Sequence, residues 1–202
     1  MRRSNADRPM LIRIFALVFA ISFAGAAAPA AIERKHWEQL THCRYVEKKY
    51  NDGDSFRVDC SGREFVLRLY YVDAPEADLS NGERVGEQRA YFKVTVEDVL
   101  ATGERAAERV REILREPFSV STRWAVAGGR SAEPRYYGLV DIGGRHLIEI
   151  LLAEGLVRAK GVVVILPTGE KSKVYLERLR DLERQAREQK IGVWAHSKGL
   201  ER

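Results

Sequence analysis

The sequence predicts an α+β chain in which a small closed sheet of five strands carries helices against it. Three observations support this. Alternating runs rich in β-branched and aromatic residues recur between residues 43 and 72 and between 118 and 142. Runs with a helical period separate and follow them. Turn signals punctuate the strands at Asp52-Gly53, Ser61-Gly62 and Gly143-Gly144.

Residues 31 to 42 carry no clear periodicity. From Cys43 the chain reads strand, turn, strand: "CRYVEKKY", "NDGD", "SFRVDC". Asp54, Phe56, Val58 and Cys60 alternate onto one face. "EFVLRLYYV" makes the third strand, and Asp73-Ala74-Pro75-Glu76 ends it. Arg68, charged within that strand, needs a partner. Residues 77 to 101 read as an insertion of mixed character, where Thr95 with Asp98 caps a short helix. A helix follows from about Gly103 to Arg115, with Ala106, Val110, Ile113 and Leu114 on one side. "FSVSTRWA" and "RYYGLVDI" are the fourth and fifth strands, joined by the loop "VAGGRSAEP". A helix spans Leu147 to Glu154 and stops at Gly155. "LVRAKGVVVILP" is expected to be partly strand. The last helix runs from Ser172 as N-cap to about Lys190, burying Leu176, Leu179, Leu182 and Ala186. This order suits a five-stranded Greek-key barrel of the OB type with flanking helices.

The chain opens with Arg2, Arg3, Arg8 and Arg13, then runs apolar from Ile14 to Ala31. A basic start, a short apolar stretch and small residues at alternate positions read as a secretory signal peptide over residues 1–30. A cut after Ala26, Ala28 or Ala30 fits, and an uncleaved anchor is the alternative. The expected product is a secreted or periplasmic monomer of one domain, residues 31–202, with no stable membrane association after cleavage. The full chain has net charge +5, but much of that excess lies in the leader. Charge therefore permits a nucleic-acid partner without demanding one. Cys43 and Cys60 form no Cys-x-x-Cys pair, which argues against zinc. They lie at similar distances from the Asp52-Gly53 turn, so in an exported chain a disulfide across the hairpin is expected, with two buried thiols as the alternative. His36, His42, His146 and His196 make no His-Glu-x-x-His pair, and no Gly-x-Ser-x-Gly elbow occurs.

"DGDSFRV…FVLRLYYVDAPE" resembles the signature region of the staphylococcal nuclease (thermonuclease) family. The resemblance continues through "GERAAERVREIL", "YYGLV", "LIEILLAEGLVRA" and "LERLRDLERQAREQKIGVW", covering about residues 43 to 195 apart from the insertion. It implies calcium held by Asp54, Asp73 and the carbonyl of Ala74, with Asp52 left as the turn acid. It implies Glu76 as general base or water-orienting group and Arg68 as a phosphate-binding arginine. It further implies cleavage of DNA or RNA, preferably single-stranded, to 3′-phosphate ends.

One departure stands out. The family shows Tyr-Gly-Arg-Gly at the start of the fifth strand, whereas this chain has Arg135-Tyr136-Tyr137-Gly138. Tyr137 thus occupies the place of the second phosphate arginine. Residues two apart on a strand share a face. Arg135 is therefore the expected replacement, with Arg130 as the alternative. Tyr137 and Tyr136 are candidates to stack on the nucleotide. Three readings stay open: a calcium-dependent nuclease, a nucleic-acid-binding module of the same fold without cleavage, and a structural domain whose acids shape turns.

Overall fold

The computed structural model describes residues 36–129, 131 and 133–198. The expected leader and the alternative arginine, Arg130, lie outside the described residues. Six strands form one sheet: β1 (Glu38–Tyr45), β2 (Ser55–Cys60), β3 (Arg63–Leu69), β4 (Phe118–Ala127), β5 (Arg135–Ile142) and β6 (Arg145–His146). Their order is β3-β2-β1-β4-β5-β6, with mainly antiparallel pairing. β3 and β5 also pair in parallel, from Val66↔Arg135 to Leu69↔Gly138, which closes the sheet into a ring. The ring is consistent with an OB-like fold. The strand beyond the expected five is β6, a two-residue partner of β5 outside the ring.

Local chemistry explains the tight turns. Ser61 and Gly62 both take positive φ, at 56° and 85°, in the two-residue loop between Cys60 and Arg63. That is the loop length and backbone hand that match strand twist in a hairpin. Cys43 and Cys60 are direct register partners on β1 and β2, and they form a disulfide. The approach to β2 is irregular. The Asn51 side chain donates to the Val46 carbonyl (2.9 Å) and accepts from the Arg57 N–H (3.0 Å), so residues 46 to 50 bulge outward and do not extend β1. β1 instead begins at Glu38, earlier than the periodicity implied. Its first five residues are polar except Leu40 and none is fully buried, so no apolar alternation marks them, and backbone pairing with β4 holds them.

Four helices flank the ring: α1 (Gly82–Phe92), α2 (Val96–Ile113), α3 (Leu147–Ala153) and α4 (Ser172–Glu188). The insertion is thus largely helical. The Thr95–Asp98 capping box is present, but it opens one continuous helix that runs through Gly103. Ser172 is the first residue of α4, and Lys171 is its N-cap. Tyr175, Leu179, Glu183 and Ala186 form the buried stripe of α4, with Leu176 and Leu182 half-buried at its edges. The segment after α3 contains no strand beyond a single bridge, Asp73↔Arg158. It crosses the ring through isolated bonds, Tyr71 N–H to the Val162 carbonyl (3.0 Å) and Trp37 Nε1 to the Ile165 carbonyl (3.1 Å).

The main core fills the ring and the seam beneath α2, α3 and α4, with Phe56, Val58, Leu67, Val120, Val140, Leu151 and Leu179 fully buried. A second cluster, Val85, Phe92, Val94, Val99, Ala186, Val193 and Trp194, ties α1 to α2 and α4. Two packed layers around a closed sheet leave its outer rim between β2, β3 and β5 open. The candidate site lies on that rim.

Candidate active site

A cleft of about 960 Å³ opens there, with Asp54, Arg68, Glu76, Arg84, Arg135 and Tyr137 among its lining residues. Sheet register sets its floor. Ser55, Arg68 and Tyr137 form one row across β2, β3 and β5, and Arg57, Val66 and Arg135 form the next. Side chains in these rows stand on one face of the sheet. The intervening row, Phe56, Leu67 and Tyr136, faces the other way. Tyr136 accordingly packs edge-on against Phe65 and Trp124 and does not reach the cleft.

The Asp52-Gly53-Asp54 turn divides its two acids between two tasks. The Asp52 Oδ1 accepts from the backbone N–H groups of Asp54 (2.9 Å) and Ser55 (2.5 Å), which builds the turn. The buried Asp54 carboxylate accepts from Arg68 Nη1 (2.5 Å) on one oxygen and from the Ala74 N–H (2.7 Å) on the other. Burial, then the nearby charges of Asp52 and Asp73, outweigh Arg68 and push its pKa up to about 8. Gly53 is required by space. A Cβ there would lie 2.6 Å from the Ala106 Cβ of α2 and 2.9 Å from the Ala74 Cβ.

Asp73 reaches the same place from β3. Its approach is a sharp turn at Tyr71, where φ is 69° and the Val72 N–H donates to the Tyr70 carbonyl (2.9 Å). Asp73 Oδ1 meets Arg84 Nη2 (2.5 Å) and Arg68 Nη2 (3.5 Å), and Oδ2 meets Arg158 Nη2 (2.7 Å). Arg68 therefore spans the two aspartates, the partner its position in a strand required. Glu76, three residues on, pairs with Arg84 Nε (2.8 Å). Burial pushes its pKa up against the pull of Arg84.

Arg135 stands one two-residue step along β5 from Tyr137, beside Val66 and not Arg68. Its side chain bends back, and its Nη1 shares the Ser55 hydroxyl with Arg68 Nη1, at 3.3 and 3.2 Å. Its Nη2 donates to the Gly128 carbonyl (2.8 Å). Its Nε is buried without a hydrogen-bond partner among the described residues. Tyr137 lines the cleft, and one side of its ring stacks on Tyr70 at 4.8 Å.

Four contributors escaped the sequence reading. Buried Gln88 of α1 laces the acidic loop together: its Nε2 donates to the Ala74 carbonyl (2.9 Å), and its Oε1 accepts from the Glu76 N–H (2.9 Å). Arg158, 1% exposed, pairs with both Asp73 and Glu87. Arg158 and then Lys160 hold the Glu87 carboxyl down at about 2. Arg84 joins Asp73 to Glu76. Ser55 joins Arg68 to Arg135. The one available signal was Arg158, a charge inside the apolar run 156–166.

Oxygen donors at or beneath the floor are the Asp54 and Asp73 carboxylates and the Ala74 carbonyl, the last two already engaged by Arg84, Arg158 and Gln88. No group of three or more His, Cys, Asp or Glu side chains suited to an ion occurs among the described residues. The set of two carboxylates and a carbonyl nevertheless fits a hard cation that keeps several waters.

No protein-family model matches the chain. It is similar to Endonuclease YncB of Bacillus subtilis (strain 168), at 25% identity over 146 residues. That match covers 72% of this chain and 59% of the relative, so the chain spans less than two thirds of its length.

Proposed function

We propose that residues from 31 onward are a nuclease domain that hydrolyses phosphodiester bonds of DNA or RNA, exported and calcium-dependent. The observation that carries this reading is the cleft floor. Two carboxylates, Asp54 just before β2 and Asp73 in the loop after β3, flank Arg68 there, with Arg135 on the adjoining wall. Similarity to an endonuclease supports it.

In this reading Asp54, Asp73 and the Ala74 carbonyl hold calcium, which when bound supplies positive charge to the phosphate and its attacking water. Arg68 and Arg135 bind the non-bridging oxygens of the same phosphate, a task suited to planar guanidinium forks. Glu76 accepts the proton of the attacking water. The new bond joins water oxygen to phosphorus. The bond to the 5′ oxygen breaks, that oxygen takes a proton from solvent, and the products carry a 3′-phosphate and a 5′-hydroxyl.

A second reading, nucleic-acid binding without cleavage, is favoured by Arg84, whose pairs with Asp73 and Glu76 occupy both acids. Incubation of the purified protein with denatured DNA, in calcium or in chelator, separates the two. The nuclease reading expects calcium-dependent fragments, abolished in Asp54→Ala and Asp73→Ala. Arg135→Ala should slow cleavage by about 10²-fold or more, with a smaller change in affinity, as loss of one preorganised charge does. Binding without fragments under all these conditions would establish the second reading.

A further inference from the structure

In the nuclease reading the base next to the scissile phosphate calls for an aromatic face. Tyr136 is engaged on the opposite face of the sheet, and Tyr137 has one side of its ring covered by Tyr70. Tyr50 is different. It lies in the bulge before β2, is 53% exposed, and lines the cleft with Asp52, Ser55, Arg68 and Arg135.

An exposed tyrosine on a loop ordinarily samples several rotamers. This one is clamped. Arg57, in the same sheet row as Arg135, donates from Nε to the Tyr50 hydroxyl (2.7 Å) and sets its guanidinium 5.6 Å from the ring centroid. Arg57 is itself held by Glu64 (3.1 Å) and by Glu133, which also lines the cleft. The ring is thus oriented by a cation that two carboxylates anchor, while more than half of the residue stays open to solvent. For folding alone, an exposed ring needs no such anchoring. For a ligand, preorganisation lowers the entropic cost of ordering the site.

We infer that Tyr50, clamped by Arg57, is the platform on which an unpaired nucleobase stacks beside the phosphate held by Arg68 and Arg135. The inference rests on the phosphodiester reading of the cleft. Its ligand class is single-stranded nucleic acid, because a base paired in a duplex cannot turn its face to the ring. Stacking of this kind tolerates any base, so the platform selects strandedness and not sequence.

Fluorescence anisotropy tests it with a labelled oligothymidylate and an abasic strand of equal length, in calcium, on Glu76→Gln protein so that neither strand is consumed. The base-bearing strand should bind more tightly than the abasic one. Adding Tyr50→Ala should weaken the base-bearing strand about tenfold, the order expected for one lost base–aromatic stack, and leave the abasic strand unchanged. Tyr50→Trp should keep the preference, and thermal melting should show both variants folded. Equal loss for both strands, or no loss for either, overturns the platform. If the parent protein binds neither strand, platform and nuclease readings fall together. If the anisotropy pattern holds while native protein cleaves nothing, the platform stands and only hydrolysis falls.

Discussion

Asp54 is nearly sealed from water and has two acidic neighbours, so its charge is disfavoured in the folded chain. Its pKa lies near 8 in the fold, against an ordinary value of 3.8. The folded state therefore holds a proton that the unfolded state has released across that interval. Stability from this group is complete below about pH 4 and is lost as pH rises through about 8. In calcium-free buffer, Asp54→Asn should gain melting temperature relative to the native protein as pH rises from 4 to 8. A difference that stays constant across that range would refute the assignment. Calcium should raise the melting temperature of the native protein more at pH 8 than at pH 5, and it should do little for the variant.

Helix α2 supports the acidic loop at one point. Gly103 faces it so closely that a Cβ would lie 2.4 Å from the Glu76 carbonyl oxygen and 2.7 Å from that of Pro75. Glycine within a helix costs roughly 0.5–1 kcal/mol relative to alanine, and here that cost allows the close approach. Gly103→Ala gains the helical preference but forces backbone apart, and overpacking costs about 1–3 kcal/mol. Urea unfolding should show net destabilisation, and cleavage should fall because Glu76 is displaced. Gly86 in α1 is the contrast, since a Cβ there meets nothing within 4 Å. Gly86→Ala should stabilise by up to about 1 kcal/mol and leave cleavage unchanged. Equal behaviour of the two variants would remove the packing argument.

The ring closes through β3 and β5, and this parallel pair also brings Arg68 and Arg135 to one rim. The Cys43–Cys60 disulfide clips β1 to β2 at the opposite end of β2 from Ser55, roughly 17 Å away at the rise of an extended strand. With a sequence separation of 17, the bridge is expected to contribute about 3 kcal/mol by restricting the unfolded chain. Reduction, or paired Cys43→Ser and Cys60→Ser substitution, should lower the urea midpoint accordingly. The cleavage rate at 25 °C should hold, because the ladders of the ring remain. A reduced protein with normal stability but lost activity would mean that the bridge acts on the cleft.

The hairpin from β2 to β3, the disulfide from β1 to β2 and the capping box of α2 were all legible in the residues. Each depends on neighbours close in sequence, where turn chemistry and alternation act. The same holds for Arg68, whose charge within a strand announced an acidic partner. Local pattern misled where tertiary contact overrode it. Gly103 read as a helix boundary, because nothing local shows that α2 must touch the Glu76 backbone there. The run from Leu156 to Leu166 read as partly strand, but its backbone meets Asp73 in one bridge and finds single bonds to Tyr71 and Trp37, with no ladder. The closure of β3 on β5 decided that Arg135 shares a hydroxyl with Arg68 and that Tyr136 faces away. Placement of Arg84, Gln88 and Arg158 around the acids came from α1 and the chain after α3. Residue type and short spacing determined which groups carry charge and where turns fall. Which of those groups meet depended on strand register and helix docking, which bring together residues as distant as Asp73 and Arg158, 85 positions apart.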